Sequence, residues 1–332
     1  MSMNRNAGIL GVGMAVPEKV VTNADLEQFV DTNNEWIVSR TGIEERRVTQ
    51  DHEGSSTLGL TAAQRALADA GVAAEDIDLI ICATATGDYP WPATACIIQD
   101  KLGAKRAAAF DLSAACSGFT YALATASGFI QSGAMRRVLV IGVDTLSKQV
   151  DWTDRGTCIL FGDGAGAVVL GPCGPDEGIL ASALGADGSG LDQIWLEGGG
   201  NRLPVTLEVM EERRNFIRMK GAEVYKFAVK IMGEVSLEAL CRANLTPDQV
   251  DLFIPHQANI RIINASADRM GLTPDRVFTN VQKYGNTSAG SIPMALAEAV
   301  QEGRVKRGDV LVFVGFGAGL TWGANVVRWI KD

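Results

Sequence analysis

The sequence predicts an α/β fold made of two similar halves, and two observations carry that prediction. Short apolar runs rich in β-branched residues alternate with longer stretches of helical periodicity along the 332 residues, the pattern of buried strands separated by helices. The second half also echoes the first. ALADAGVAAEDIDLIICATAT at 66–86 is answered by ALCRANLTPDQVDLFIPHQAN at 239–259, and RRVLVIGVD at 136–144 by GDVLVFVGF at 308–316. Any two buried strands look alike, but two matches at one offset of about 170 residues argue for a duplicated unit. The chain divides accordingly into 1–182 and 183–332.

In chain order, residues 57–71 (TLGLTAAQRALADAG) read as a helix and 77–84 (IDLIICAT) as a strand buried on both faces. FDLS, at the head of FDLSAACSGFTYALATASGFI, is strand-like and passes through small residues into a helix over 117–132. Residues 137–143 (RVLVIGV) are another buried strand. In the second half VDLFIP is a strand that runs into PHQAN, and KYGNTSAGSIPMALAEAV is a tight turn entering a helix. Residues 310–329 are two strands joined by a glycine-rich turn. Runs this apolar predict a mostly parallel sheet covered by helices on both faces.

Composition narrows the function. A net charge of −9 is wrong for a nucleic-acid binder, which needs a basic surface. None of the six cysteines lies in a C-x-x-C pair or beside a histidine at metal-ligand spacing. No window of about 18 apolar residues suggests a membrane span, and MSMNRNAGILGVG does not read as a signal segment. The expectation is a cytoplasmic protein with reduced thiols, no metal and no membrane or nucleic-acid partner.

Four segments can carry chemistry. Cys116 lies where FDLS turns into a helix, and the N–H groups and dipole of a helix start lower a thiol pKa. The same position also suits a small cysteine buried for packing. Of the two histidines, His52 sits in the polar stretch TQDHEGSS, whereas His256 follows an apolar strand, where catalytic side chains of α/β proteins gather; a structural role for His256 stays open. Asn286, taken alone, reads as a helix N-cap. The turn in VLVFVGFGAGLTWGANVVRW lacks a following helix and a Lys-Ser/Thr pair, so it is a poor phosphate loop, but its N–H groups could face an oxyanion. The duplication offset sets Cys116 opposite the stretch holding Asn286, and Thr84–Thr86 opposite His256–Ala258. Ligands commonly bind at such a seam.

Six ordered segments extend this reading: NEWIVSRTGIEERR (34–47), DLSAACSGF (111–119), DRGTCILFGDGAGA (154–167), PHQANIRI (255–262), GNTSAGS (285–291) and GFGAGLTWG (315–323). Together they resemble the thiolase-like condensing enzymes, most closely the β-ketoacyl-[acyl-carrier-protein] synthase III family, initiators of type II fatty acid synthesis. The resemblance runs nearly end to end. It implies a thiolase-like fold in which the two α/β halves form five layers, αβαβα. It implies that Cys116 takes an acyl group, acetyl above all, from acyl-CoA. His256 and Asn286 then bind the malonyl thioester of acyl carrier protein and promote loss of CO₂, so that condensation yields 3-oxoacyl carrier protein.

By the same resemblance, the N–H groups of Cys116 and Ala318 form an oxyanion hole. Trp36 and Arg40 hold the adenine end of CoA with Thr32 and Arg155 nearby, and Asn259 lines a pantetheine tunnel near Gly221 and Ala258. Leu160 and Phe316 belong to the acyl pocket. Trp91 stands where many members carry a smaller aromatic, and is expected to reach the pocket of the partner subunit in a homodimer and shorten it. An acidic carrier protein calls for basic residues at the tunnel mouth: Arg261 first, then Lys220, with Arg213 and Arg214 as further candidates. Acyl-CoA and malonyl carrier protein are substrates, and no cofactor is implied. Gly317-Ala318-Gly319 departs from the usual three glycines, which requires that Ala318 tolerate the local φ.

Relatives on the same fold narrow the reading further. Biosynthetic thiolases use a second cysteine, absent from GFGAGLTWG, and the glutamate of hydroxymethylglutaryl-CoA synthases has no counterpart that can be placed. Synthase-III-like acyltransferases and quinolone or ketone synthases of secondary metabolism keep Cys, His and Asn. Outside the fold, a cysteine hydrolase or a non-catalytic acyl-CoA binder would use the same three residue types.

Overall fold

The structure, a computed structural model, describes residues 6–332. Two sheets organise it. The first has the spatial order Asn6–Ala15, Asp163–Cys173, Val138–Thr145, Leu79–Ala83, Ala108–Leu112. The second has the order Gly178–Ala186, Thr321–Arg328, Val310–Gly317, Leu252–Pro255. Strand for strand, the pairing senses agree. Leu79–Ala83 and Leu252–Pro255 run parallel to their neighbours Val138–Thr145 and Val310–Gly317. The two further strands in each sheet pair antiparallel. The outer strand Ala108–Leu112 has only a single parallel bridge, Phe253 to Val277, as its counterpart.

Helices fill the other three layers. Ser55–Ala70 and Thr94–Leu102 cover the outer face of the first sheet. Ser55–Ala70 buries Leu58, Ala62, Ala63, Ala66 and Leu67, spaced to form one stripe, and stops at Gly71 with φ 62°. Gly221–Arg242 and Ile260–Arg269 cover the second sheet. Gly118–Gln131 and Ser291–Gln301 lie between the sheets. Of SIPMALAEAVQ only three residues escape burial, because a helix held between two sheets must be apolar nearly all round. The result is the expected αβαβα layering.

Two expectations need correction. The sheets are mixed rather than mostly parallel: an apolar run reports that helices cover both faces of a strand, not which way its neighbour runs. The expected division between residues 182 and 183 cuts the strand Gly178–Ala186, which belongs to the second sheet. The chain changes sheet in the turn at 174–177. Among the described residues no helix is long and apolar enough to cross a membrane.

Candidate active site

Each half presents a strand, a tight turn and a central helix at the seam. In the first the turn is Ala115–Ser117 before Gly118–Gln131; in the second it is Ser288–Gly290 before Ser291–Gln301. Ala115 (φ 46°) and Ser288 (φ 50°) both hold the left-handed conformation, a strain of about 1–2 kcal/mol each for an L-residue. Each turn is pressed by a strand of the opposite half. A Cβ on Gly315 would lie 3.1 Å from Cys116 O, and one on Gly142 only 2.2 Å from Ala289 O. Glycine is needed at such approaches.

The two turns differ at one point. Asp144, at the end of Val138–Thr145, accepts the N–H of Ala289 at 3.1 Å. The matching place at the end of Val310–Gly317 is Gly317, whose missing Cβ would stand 2.6 Å from Cys116 N. The Cys116 N–H is thereby left open. Neither it nor the Ala318 N–H has a hydrogen-bond acceptor among the described residues. Ala318 avoids positive φ, which Gly319 takes instead at 135°, so the departure from three glycines is accommodated. Thr321 Oγ1 accepts from Ser117 Oγ at 2.8 Å and has both Ala114 O and Ala318 O at 3.0 Å to share its one proton, tying the cysteine turn to the glycine turn.

Cys116, His256 and Asn286 line one cavity of about 530 Å³, together with Trp36, Arg40, Leu160, Gly221, Ala258, Asn259, Arg261 and Phe316. Sequence reasoning missed Ile159, Phe161, Ile194, Met219, Val224 and Tyr225 in its wall. Val224 and Tyr225 stand one helical turn beyond Gly221, a spacing that could have found them. Ile194 and Met219 arrive on a two-stranded ribbon, Ile194–Leu196 with Ile217–Met219, that no local pattern announces.

Burial governs the electrostatics. It pushes the Cys116 thiol up to about 12, against the lowering expected from the helix start; the Ser288 hydroxyl opposes the rise and Asp144 adds to it. Cys116 is half-buried at the cavity wall, and desolvation of its thiolate there outweighs the turn N–H groups. Burial also lowers His256 to about 3, so its imidazole is neutral at physiological pH. The histidine is anchored by its backbone N–H, which donates to Val314 O at 2.7 Å. Its ring lies edge-on to Phe316 at 5.8 Å, with Nδ1 2.6 Å from Ser291 Oγ. Asn286 is not the helix N-cap, a place held by Gly290. Its Oδ1 accepts the Ser288 N–H at 2.9 Å, which leaves the amide NH₂ free, and its backbone is stitched to Leu160 and Gly162.

The remaining candidates divide. The Trp36 ring is flanked by the guanidinium groups of Arg155 at 3.8 Å and Arg40 at 4.7 Å. Thr32 Oγ1 is buried and has no partner among the described residues, an open hydrogen-bonding group. The Asn259 side chain caps Ile260–Arg269 and donates to Arg40 O at 3.0 Å. Trp91 is 84 % exposed and does not enter the cavity of its own chain. Lys220 is paired with Asp192, Arg213 with Asp151, and Arg214 with Glu197 and Glu212. Arg261 has no carboxylate partner among the described residues and lies over the Tyr225 ring at 5.3 Å. Lys226 on Gly221–Arg242 and Arg269 on Ile260–Arg269, both exposed, are likewise free of ion pairs among the described residues.

Comparison with known proteins completes the description. The 3-oxoacyl-[acyl-carrier-protein] synthase III family matches residues 110–188, and the C-terminal family of the same name matches 240–329. The chain is 53 % identical to a β-ketoacyl-[acyl-carrier-protein] synthase III of Caldanaerobacter subterraneus, over 98 % of both proteins. It is 54 % identical to that of Symbiobacterium thermophilum, again over 98 % of both. The crystal structure of 3-oxoacyl-[acyl-carrier-protein] synthase III from Aquifex aeolicus superposes with a TM-score of 0.91 at 49 % identity, covering 97 % of this chain and 100 % of that one.

Proposed function

This chain belongs to the β-ketoacyl-[acyl-carrier-protein] synthase III family, and from that premise we propose how its residues perform the initiating condensation of fatty acid synthesis. The protein is an acyltransferase with a thiolase-like fold. Membership sets aside the cysteine hydrolase and the non-catalytic binder. The single observation that carries the residue assignment is the shared cavity of Cys116, His256 and Asn286 at the seam.

In the first half-reaction Cys116 Sγ attacks the acyl thioester of acyl-CoA. The oxyanion is held by the N–H groups of Cys116 and Ala318, the two donors without acceptors. The tetrahedral intermediate collapses to acyl-Cys116, and the thiol proton leaves on the CoA sulfur. Burial holds the resting group as a thiol, so its proton must leave as the bond to the acyl carbon forms. In the second half-reaction the malonyl thioester oxygen lies between the imidazole N–H of His256 and the amide of Asn286. As CO₂ leaves, the electron pair moves onto that oxygen. One such donor is worth about 3 kcal/mol of barrier. The enolate carbon attacks acyl-Cys116, and Cys116 departs as thiolate and takes up one proton from solvent. The products are 3-oxoacyl carrier protein, CoA and CO₂, and the balance needs no cofactor. Neutral His256 and the anchored Asn286 amide are suited to donating without reorganisation.

CoA enters along Trp36, Arg40 and Arg155, with Thr32 as an additional donor and Gly221, Ala258 and Asn259 along the pantetheine arm. Arg261, at the cavity and free of any carboxylate partner among the described residues, docks the acidic carrier protein; Lys220 is a poorer candidate because Asp192 already neutralises it. The protein works as a cytoplasmic homodimer. The strand Ala108–Leu112 is a sheet edge with no second neighbour, and Tyr89 and Trp91 are exposed in the loop before Thr94–Leu102, a helix whose first N–H groups donate to Asp111 of that strand, as residues reaching a second copy must be. Trp91 shortens the partner's acyl pocket, so acetyl-CoA is the primer and longer acyl groups are refused. Leu160 and Phe316 form the wall of that pocket.

Intact-mass measurement with acetyl-CoA tests the assignment: the parent gains one acetyl group on Cys116 and loses it when malonyl carrier protein is added, with release of CO₂. Cys116→Ala gains none. Acetylation at another residue, or release without CO₂, would overturn it.

A further inference from the structure

A buried serine or threonine in a helix normally donates its hydroxyl back to the carbonyl one turn earlier. This chain follows the rule at Thr41 to Ile37 O (2.7 Å), Ser236 to Met232 O (2.7 Å) and Ser266 to Ile262 O (2.8 Å). Ser291, only 1 % exposed, is the first residue of Ser291–Gln301 and has no carbonyl of its own helix one turn earlier, so its hydroxyl bonds elsewhere. Its hydroxyl oxygen lies 2.6 Å from His256 Nδ1 and accepts the Gln257 N–H at 3.3 Å. Its own N–H is used on Ser288 O, which fixes the residue at the joint between the Asn286 turn and the central helix.

A hydroxyl has one proton and two lone pairs. The Gln257 N–H occupies one lone pair. If His256 carried its proton on Nδ1 and donated to Ser291, the serine proton would be buried with no acceptor among the described residues. If Ser291 donates to Nδ1, every group is satisfied and the imidazole proton must sit on Nε2, the nitrogen without a protein partner, in a ring that lines the cavity. Leaving a buried donor unmade biases such an equilibrium by about tenfold or more. Phe316 packs edge-on against the ring, with centroids 5.8 Å apart.

We infer that Ser291 is a positioning residue that locks His256 in the Nε2–H tautomer. His256 is thereby a standing donor to the thioester oxygen, and is withheld from acting as a base toward Cys116. The inference rests on the reading of His256 as that donor, and it assigns the preference to one hydroxyl on another element. It also accounts for a nucleophile kept as a thiol: with Nε2 already protonated, no imidazole lone pair faces the cavity.

The chain has only two histidines, so ¹⁵N-imidazole labelling of the full-length His52→Gln protein reports His256 alone. The expected spectrum has Nδ1 as the unprotonated and Nε2 as the protonated nitrogen, unchanged from pH 6 to 8. A protonated Nδ1 in this otherwise native protein would overturn the inference without any change to the site. Ser291→Ala is expected to mix the tautomers and to slow CO₂ release from malonyl carrier protein about tenfold or more, while acetylation of Cys116 stays within threefold of the parent. Ser291→Thr, which keeps the hydroxyl, restores both the spectrum and the rate. If Ser291→Ala keeps the parent tautomer, or slows both half-reactions equally, Ser291 is only a packing residue. His256→Ala serves as the control for the underlying reading. Should it decarboxylate at the parent rate, the donor role fails, whereas the tautomer spectrum still decides the role of Ser291.

Discussion

Gly317→Ala is the sharpest perturbation of the oxyanion arrangement, because its size can be worked out from contacts. The added Cβ would stand 2.6 Å from Cys116 N, 3.1 Å from Ala115 Cβ and 3.2 Å from Cys116 Cβ. Ordinary contact begins at 3.4 Å, so the cysteine turn and the strand must part by roughly 0.8 Å. The backbone itself is compatible, since Gly317 is not among the positive-φ residues. A misplacement of about 1 Å costs on the order of 100-fold in rate, and loss of one oxyanion donor costs about 100- to 1,000-fold. The expected outcome is a fall of about 100-fold in acetylation of Cys116 by acetyl-CoA, with a stability loss of about 1–3 kcal/mol from overpacking. Intact-mass time courses read the rate, and thermal unfolding reads the stability. Gly128→Ala is the control: it lies on Gly118–Gln131, the helix that follows the cysteine turn, exposed, with nothing within 4 Å of its Cβ. It should leave the rate unchanged and stabilise by about 0.5–1 kcal/mol. A folded Gly317→Ala protein that acetylates within threefold of the parent would refute the claim that the Cys116 N–H is positioned by this contact.

With a thiol pKa near 12, iodoacetamide labelling of Cys116, read by peptide mass, should climb about tenfold per pH unit from pH 8 to 10; a plateau below pH 8 would contradict it. His256, lowered from 6.5 to about 3, binds fewer protons folded than unfolded between those values. Its stabilising contribution is therefore complete above pH 6.5 and lost as pH falls towards 3, by up to about 1.4 kcal/mol per unit. The melting temperature of the parent should drop more steeply below pH 6 than that of His256→Gln, and parallel curves would dismiss the effect. Arg261→Glu should raise the KM for malonyl carrier protein about tenfold at low salt and less at high salt, while Lys220→Ala, already paired with Asp192, changes it less than twofold; equal effects would move the docking surface. Trp91→Ala should shift the primer preference from acetyl-CoA towards butyryl-CoA by about tenfold or more, and an unchanged preference would remove Trp91 from primer choice.

Much was legible before any coordinates. The strands at 77–84 and 137–143 and the helices at 57–71 and 117–132 fall within about two residues of the observed elements. Continuous apolar runs, 3.6-residue periodicity and glycine stops each have a local cause. The duplication was visible because two copies of one packing problem keep the same apolar pattern at the same places. Cys116 and His256 stood out as reactive residues following apolar strands, whereas Asn286 alone read as a helix cap and took its role from the family resemblance and from its place opposite Cys116 in the repeat.

Tertiary structure decided what depends on distant neighbours. Strand direction is set by connections and layers, and burial pattern alone does not carry it. The rise of the Cys116 thiol comes from residues of both halves closing over it, and no window around position 116 encodes that desolvation. Lys220, Arg213 and Arg214 looked available until folding brought Asp192, Asp151 and Glu197 to them. Ser291 reads as an unremarked helix residue until Leu252–Pro255 delivers His256 to its hydroxyl. Local sequence thus determined which elements form and which residues could react. Hydrogen-bond direction, charge pairing and protonation are properties of close contact in a dry interior, and they appear only once the two halves meet.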